Sequence, residues 1–234
     1  MPPLQSTPSD PFALKALSKC SLRRLAFTSY YRAADCFGRL TFKGISECID
    51  RAALQHFCTD RGVKFPDTAL TTTKTSLLLD AVRASENLSE PIVEIGSYRG
   101  ATTCALAAAT KRCVYAVDPF IGYGGTQQDE QMFQNRILQH PNIAHLRLTS
   151  GEAVARAECQ RVSMVFIDAV NDYANFWFSG NAWLQQVQPG GFLALNQVDE
   201  WPGPNLACRR LLGLGDRIVP WGYCWDLIIF RKLS

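Results

Sequence analysis

The chain has 234 residues, and its 24 Lys and Arg against 21 Asp and Glu leave a net charge of +3 with no basic run for gripping a phosphate backbone. A hydrophobic content of 47% suffices for the core of one large α/β domain with a small appendage. No apolar run reaches the ~18 residues that cross a bilayer, so neither nucleic acid nor membrane is an expected partner.

In chain order, residues 1–11 are rich in Pro, Ser and Thr and read as a disordered tail without the basic and apolar regions of a signal peptide. Nine cysteines, at 20, 36, 48, 58, 104, 113, 159, 208 and 224, make no C-x-x-C pair; an odd count without metal-ligand spacing implies reduced, buried thiols and a cytoplasmic setting. Residues 12–72 carry an irregular helical pattern, with amphipathic candidates at 21–27 and 49–58, and read as a helical cap or partner-binding segment. A helix over 73–84 follows, N-capped from its Thr cluster, with Leu77, Leu78, Leu79 and Val82 facing a sheet. The main domain is expected over 73–234.

The strand predicted at 92–95 runs into Glu94-Ile-Gly96-Ser97-Tyr-Arg-Gly100 and a helix, and the next, at 114–117, ends in Asp118, 22 residues beyond Gly96. Gly96 allows a sharp exit from the strand and close approach of a ligand to the backbone. Gly100 lets the following helix pack against strand and ligand, and Asp118 can accept hydrogen bonds from both hydroxyls of a ribose. A dinucleotide site would carry G-x-G-x-x-G with pyrophosphate at the helix N-terminus. Here Glu94 replaces the first glycine; a carboxylate repels pyrophosphate and suits a cationic ligand, which disfavours an NAD-dependent oxidoreductase. The pattern Glu94-x-Gly96-x-x-x-Gly100 resembles motif I of the class I S-adenosylmethionine-dependent methyltransferases. That resemblance implies that Glu94 belongs to the site for the methionine end of the cofactor, and that Gly96, Ser97, Gly100 and Asp118 hold it.

Strand-type runs recur at 143–148, 162–167, 191–195, 217–220 and 225–230, with helical stretches between most of them and the last two close enough for a hairpin. The expected fold is a Rossmann-like, seven-stranded, mainly parallel sheet with an antiparallel last strand, as in that family, preceded by the N-terminal helical segment. Ligands in such sheets lie beyond the carboxyl ends of the strands, where strand order reverses. Ser150, after the third strand, falls where related enzymes contact adenine, although a helix N-cap explains it equally well. Residues 120–125 read as an aromatic, glycine-rich loop able to fold over a ligand.

The fourth strand ends at Asp168, followed by Asn171, Asp172 and Tyr173; beyond it come a Pro189-Gly190-Gly191 turn and the run Asn196-Gln197-Val-Asp199-Glu200-Trp201. Over residues 73–232 the chain resembles small-molecule O-methyltransferases of the macrocin-like and catechol-like groups. This implies a divalent cation, with Asp168 as its first ligand and Asn196 and Gln197 at the positions of the others. One carboxylate is missing and Asn171 stands where the macrocin-like pattern has a histidine base, so Mg²⁺ and a general base both stay open. Asp199 and Glu200 are substitutes or a solvated loop. Methyl transfer from a sulfonium depends more on alignment than on a base, so Asp168, Asn171, Asp172 and Tyr173 are the catalytic candidates, with Asp168 also beside the cofactor. His56, His140 and His145 are isolated, and Trp201 is the aromatic placed to meet a cationic acceptor. The reading is a methyltransferase acting on a small molecule, by resemblance a hydroxyl of a sugar or secondary metabolite. Methylation of a small amine and an inactive S-adenosylmethionine-binding partner protein are the alternatives, and a homodimer stays open.

Overall fold

Apolar runs without polar alternation, 92–95 and 162–167, become strands buried at every residue, which requires cover on both faces of the sheet. The computed structural model describes residues 21–122 and 125–234, so the expected tail at 1–11 lies outside the described residues. The strands are β1 (His56–Cys58), β2 (Ile92–Ile95), β3 (Val114–Val117), β4 (Ile143–Leu146), β5 (Val162–Ile167), β6 (Val187–Leu195), β7 (Ile218–Cys224) and β8 (Leu227–Lys232). They form one sheet in the order β1-β7-β8-β6-β5-β2-β3-β4. Among the described strands, only β8 runs antiparallel to its neighbours, β6 and β7. Strand order reverses between β2 and β5, which are paired in parallel.

The helices are α1 (Ser21–Leu40), α2 (Ile45–Cys48), α3 (Thr72–Ala84), α4 (Ala101–Ala108), α5 (Gln127–Ile137), α6 (Ser150–Ala153), α7 (Tyr173–Gln186) and α8 (Pro202–Leu212). Alternate strand residues feed two cores. Val93, Ile95, Val165 and Ile167 join Trp183 and Leu211 from α7 and α8 on one face. Ile92, Met164 and Phe166 join Leu77, Leu78 and Leu106 from α3 and α4 on the other. Arg112 ties these layers. Its Nη1 donates to Ser85 O and Ser163 Oγ, each at 2.9 Å, and its Nη2 donates to Val82 O at 2.9 Å. Arg112→Met should therefore cost about 3 kcal/mol in urea denaturation, because buried carbonyls at the end of α3 lose their donor.

Two local expectations fail. The 49–58 segment is not a helix: Asp50 caps a single 3₁₀ turn, Arg51–Ala53, and the chain then extends as β1 along the open edge of β7. Gln55 N–H bonds to Trp221 O at 3.0 Å, so an unpaired sheet edge outcompetes a weak helical pattern. The Pro189-Gly190-Gly191 sequence is not a turn before a strand but part of β6, accommodated where the β5–β6 register shifts between Val162 and Met164. A Cβ on Gly191 would lie 2.4 Å from Ser163 O, a backbone approach only glycine permits. At the start of α3, Thr71 is the N-cap, but its side chain makes no capping bond.

The N-terminal segment lies against the rest of the chain. Tyr31 on α1 packs on Tyr173, with ring centroids 5.9 Å apart, and Asp35 accepts from Tyr173 N at 2.9 Å. Of the eight described cysteines, all unpaired, Cys159, Cys208 and Cys224 are buried as expected, whereas Cys36 is exposed. No described helix is long and apolar enough to cross a membrane.

Candidate active site

Two clefts open beyond the carboxyl ends of β2 and β5, at the point of reversal. The first, of about 400 Å³, is lined by Tyr98, Asp118, Leu148, Ser150, Asn175 and Trp201 among others. The second, of about 550 Å³, is lined by Phe65, Thr68, Glu94, Ser97, Thr102 and Gln197 among others. Gly96, Tyr98, Asp168, Ala169 and Asn171 line both, so the clefts adjoin there.

Gly96 sits at φ +91°, and a Cβ on it would lie 2.0 Å from the Asp168 carbonyl oxygen. The glycine is thus demanded first by the backbone of β5 and only then by a ligand. Gly100, the left-handed N-cap of α4 at φ +78°, lines neither cleft; its Cβ would lie 2.9 Å from the Phe133 ring, so its close approach is to α5. Asp118 Oδ2 accepts from Tyr98 N at 3.0 Å and Oδ1 from Phe120 N at 2.9 Å. Both donors hold positive φ, Tyr98 at +47° and Phe120 at +49°, so one carboxylate pins two strained turns. Burial raises its pKa against those two bonds, and each oxygen retains a lone pair for a hydroxyl donor. Phe120 itself is buried against Phe133 rather than free to close over a ligand.

Glu94 is buried and accepts a hydrogen bond from the Thr103 hydroxyl. Burial pushes its pKa up to about 8, with the charges of Asp168 and Asp118 adding and the Thr103 bond opposing. A cationic group in the second cleft would reverse that shift. Three buried side-chain atoms of that cleft have no protein partner: Ser97 Oγ, Asn171 Oδ1 and Gln197 Oε1. Gln197 is held at φ +62°. Asp168 is raised to about 6 by burial, opposed by the neighbouring Asn196 amide and the Lys74 charge.

The remaining candidates divide. Ser150 lines the first cleft, where its Oγ contacts Ser179 Oγ at 2.8 Å and accepts from Trp183 Nε1 at 2.9 Å. The N-cap there is Thr149, whose hydroxyl and Glu152 form a capping box. Asp172 also lines the cleft, but its carboxylate caps α7, accepting from Asn175 N and Nδ2 at 2.7 Å each. Tyr173 lines neither cleft. It is the first residue of α7, which turns it inward, fully buried, with its hydroxyl bonded to Arg210 and its ring against Trp177. Tyr173 therefore does not face either cleft to orient an acceptor, as its place after β5 had suggested. Asp199 is neither a solvated loop residue nor a metal ligand: its carboxylate accepts from Ile45 N at 2.7 Å and Tyr223 OH at 2.6 Å, joining α2 to β7.

The residues at the expected cation site do not fit a hard divalent ion. Asp168 is the only carboxylate of the three, and Asn196, fully buried, turns its Oδ1 to Lys74 Nζ at 3.1 Å. Lys74 stands on the buried face of α3 with Leu77, Leu78 and Ala81. A lone lysine at i, i+3, i+4 and i+7 with apolar residues was the signal the sequence offered for it. No group of three or more His, Cys, Asp and Glu placed to hold a metal occurs among the described residues. His145 packs between Phe120 and Phe133, with its pKa lowered by burial.

Residues 93–198 match a family described as a methyltransferase domain. No curated protein matches the sequence significantly. Among solved structures, the chain resembles an O-methyltransferase from Bacillus cereus in complex with S-adenosylhomocysteine, at 15% identity and TM-score 0.56 over 73% of this chain and 84% of that one. The O-methyltransferase TomG from Streptomyces achromogenes, in complex with S-adenosylmethionine, gives 16%, 0.53, 73% and 84%. The N-methyltransferase NodS from Bradyrhizobium japonicum gives 15%, 0.50, 69% and 96%. The matched segment runs from β2 to the loop after β6 and carries the Glu94-x-Gly96-x-x-x-Gly100 motif at the switch point of a sheet with the fold of these methyltransferase structures, so residues 93–198 are similar to a methyltransferase domain.

Proposed function

We propose that the protein methylates a small molecule through a hydroxyl or amine held over Asp168 and Asn171. The observation that carries this reading is the pair of unpartnered acceptors, Asn171 Oδ1 and Gln197 Oε1, in a cleft that adjoins the first one at Gly96 and Asp168. Buried acceptors call for a ligand that donates hydrogen bonds. The volume of about 550 Å³ suits a small molecule.

Asp118 is placed to hold the ribose hydroxyls of the cofactor, Ser150 to line the adenine side, and Glu94 and Ser97 to take the amino-acid end. The cofactor supplies a methyl group already activated on a sulfonium, so the residues need only align the acceptor and receive its proton. Asp168, with a pKa of about 6, is ionised at neutral pH and stands at the junction to do so. Trp201, 45% exposed, lines the first cleft, on the side given to the cofactor. An odd number of cysteines supports a reducing, cytoplasmic setting.

The test is release of S-adenosylhomocysteine from S-adenosylmethionine with panels of small polyhydroxylated compounds and small amines. Turnover with one panel is expected, falling about 10- to 100-fold in kcat/KM for Asn171→Leu, which removes a buried acceptor. Retained cofactor binding with no turnover on either panel would instead favour an inactive binding protein. A pH dependence also follows. Below about 8 Glu94 holds a proton that an incoming ammonium must displace, so S-adenosylhomocysteine affinity should rise with pH, by up to tenfold per unit, and level off above about 8. Calorimetry in buffers of different ionisation enthalpy should show proton release at pH 7, and Glu94→Gln should flatten the profile.

A further inference from the structure

We infer that the Lys74 ammonium is the built-in cation of this site, filling the place between the ends of β5 and β6 that a divalent ion would otherwise take, so that the protein works without a metal. Two oxygen-bearing groups contact it, and a third lies within reach of its charge. Lys74 Nζ donates to Asn196 Oδ1 at 3.1 Å and forms an ion pair with Asp226 in the β7–β8 turn. Its charge reaches Asp168, the carboxylate shared by both clefts. Lys74, Asp226 and Asn196 are 4%, 3% and 0% exposed.

Nothing in local packing calls for a charge here. Lys74 rises from a helix face otherwise made of Leu77, Leu78 and Ala81, where an apolar residue would pack without desolvating an ammonium. The turn that carries Asp226 is bent to aim inward: Trp225 holds φ +58°, and Asp226 O accepts from Val198 N at 2.9 Å, next to Gln197. One ammonium held by the Asp226 carboxylate and the Asn196 amide oxygen, with its charge reaching Asp168, stands in for a hard cation with a tethered charge. A divalent ion beside it would meet a fixed positive charge and lose Asn196 as a ligand.

The decisive experiment measures Mn²⁺ binding by electron paramagnetic resonance on the full chain, with S-adenosylhomocysteine calorimetry alongside. Wild type is expected to bind no Mn²⁺ at this site, and its cofactor affinity should stay within twofold between chelator and millimolar Mg²⁺. Lys74→Ala leaves Asp168, Asp226 and Asn196 around the vacated space and should gain Mn²⁺ affinity at least tenfold, with a Mn²⁺-dependent rise in melting temperature. The doubly neutral Lys74→Met/Asp226→Asn variant should fold and gain none. The inference is overturned if wild type binds Mn²⁺ in a manner lost in Asp168→Asn, if Mg²⁺ tightens its cofactor binding tenfold or more, or if Lys74→Ala gains no Mn²⁺ affinity or stays unfolded with Mn²⁺ present. The Mn²⁺ arms do not depend on the methyl-transfer reading, since absence of cofactor binding would sink that reading and leave them interpretable.

Discussion

Gly96→Ala should destabilise the protein by about 2–5 kcal/mol and abolish cofactor binding, because one methyl group meets two obstacles at once. The first is conformational: φ is +91°, a region side chains rarely adopt. The second is steric, since the new Cβ would sit 2.0 Å from the Asp168 carbonyl oxygen. Neither the glycine nor the carbonyl can move independently. Gly96 N bonds to Val117 O, and Asp168 N bonds to Ile95 O, each at 2.9 Å, so three strand ends are locked together. Gly122→Ala is the internal control. Gly122 has nearly the same torsion, +92°, with nothing within 4 Å of its added Cβ, so only the conformational part, about 1–2 kcal/mol, should appear. Urea denaturation of the two variants separates the effects. Equal losses in both would mean that the closeness of β5 is not what fixes Gly96.

Asp118→Ala should lower S-adenosylhomocysteine affinity about 100-fold or more, since two hydroxyl bonds to a charged group contribute about 1.5–3 kcal/mol each. The effect is not confined to the ligand. The Tyr98 and Phe120 N–H groups lose their acceptor, and both residues sit at positive φ, so the turns after β2 and β3 should loosen as well. A stability loss of about 1–3 kcal/mol should accompany the affinity loss. Calorimetry at a temperature well below the melting point of the variant distinguishes the two. Unchanged affinity in a folded variant would remove Asp118 from the site.

What the sequence revealed and what it concealed have a common physical reason. The positions of Glu94, Gly96 and Asp118 at the ends of β2 and β3 were legible because strand, turn and helix follow one another within a few residues, and strand periodicity fixes where their ends lie. β2 and β3 appear at the predicted bounds. β1 was hidden because its partner, β7, is more than 150 residues away, and a three-residue edge strand has no pattern of its own. The β6 bulge was hidden for a related reason: Gly190 and Gly191 read as a turn until Ser163 is placed against them. In the site, the inward turn of Tyr173 was not legible from its position after the strand. Asp172 became the N-cap of α7, which turned the next side chain into the core against α1. Asp199 was legible as a charged residue but not as a buried one, and the partners of Asp199 and Lys74, namely Ile45, Tyr223, Asn196 and Asp226, were hidden because they come from distant segments.

The most direct test of the cofactor site is calorimetric titration of the intact protein with S-adenosylhomocysteine, with and without Mg²⁺. The geometry at Glu94, Gly96 and Asp118 predicts one site with a micromolar dissociation constant, indifferent to Mg²⁺ and accompanied by proton release at pH 7. Failure of the folded protein to bind under either condition would contradict the assignment of these clefts to S-adenosylmethionine.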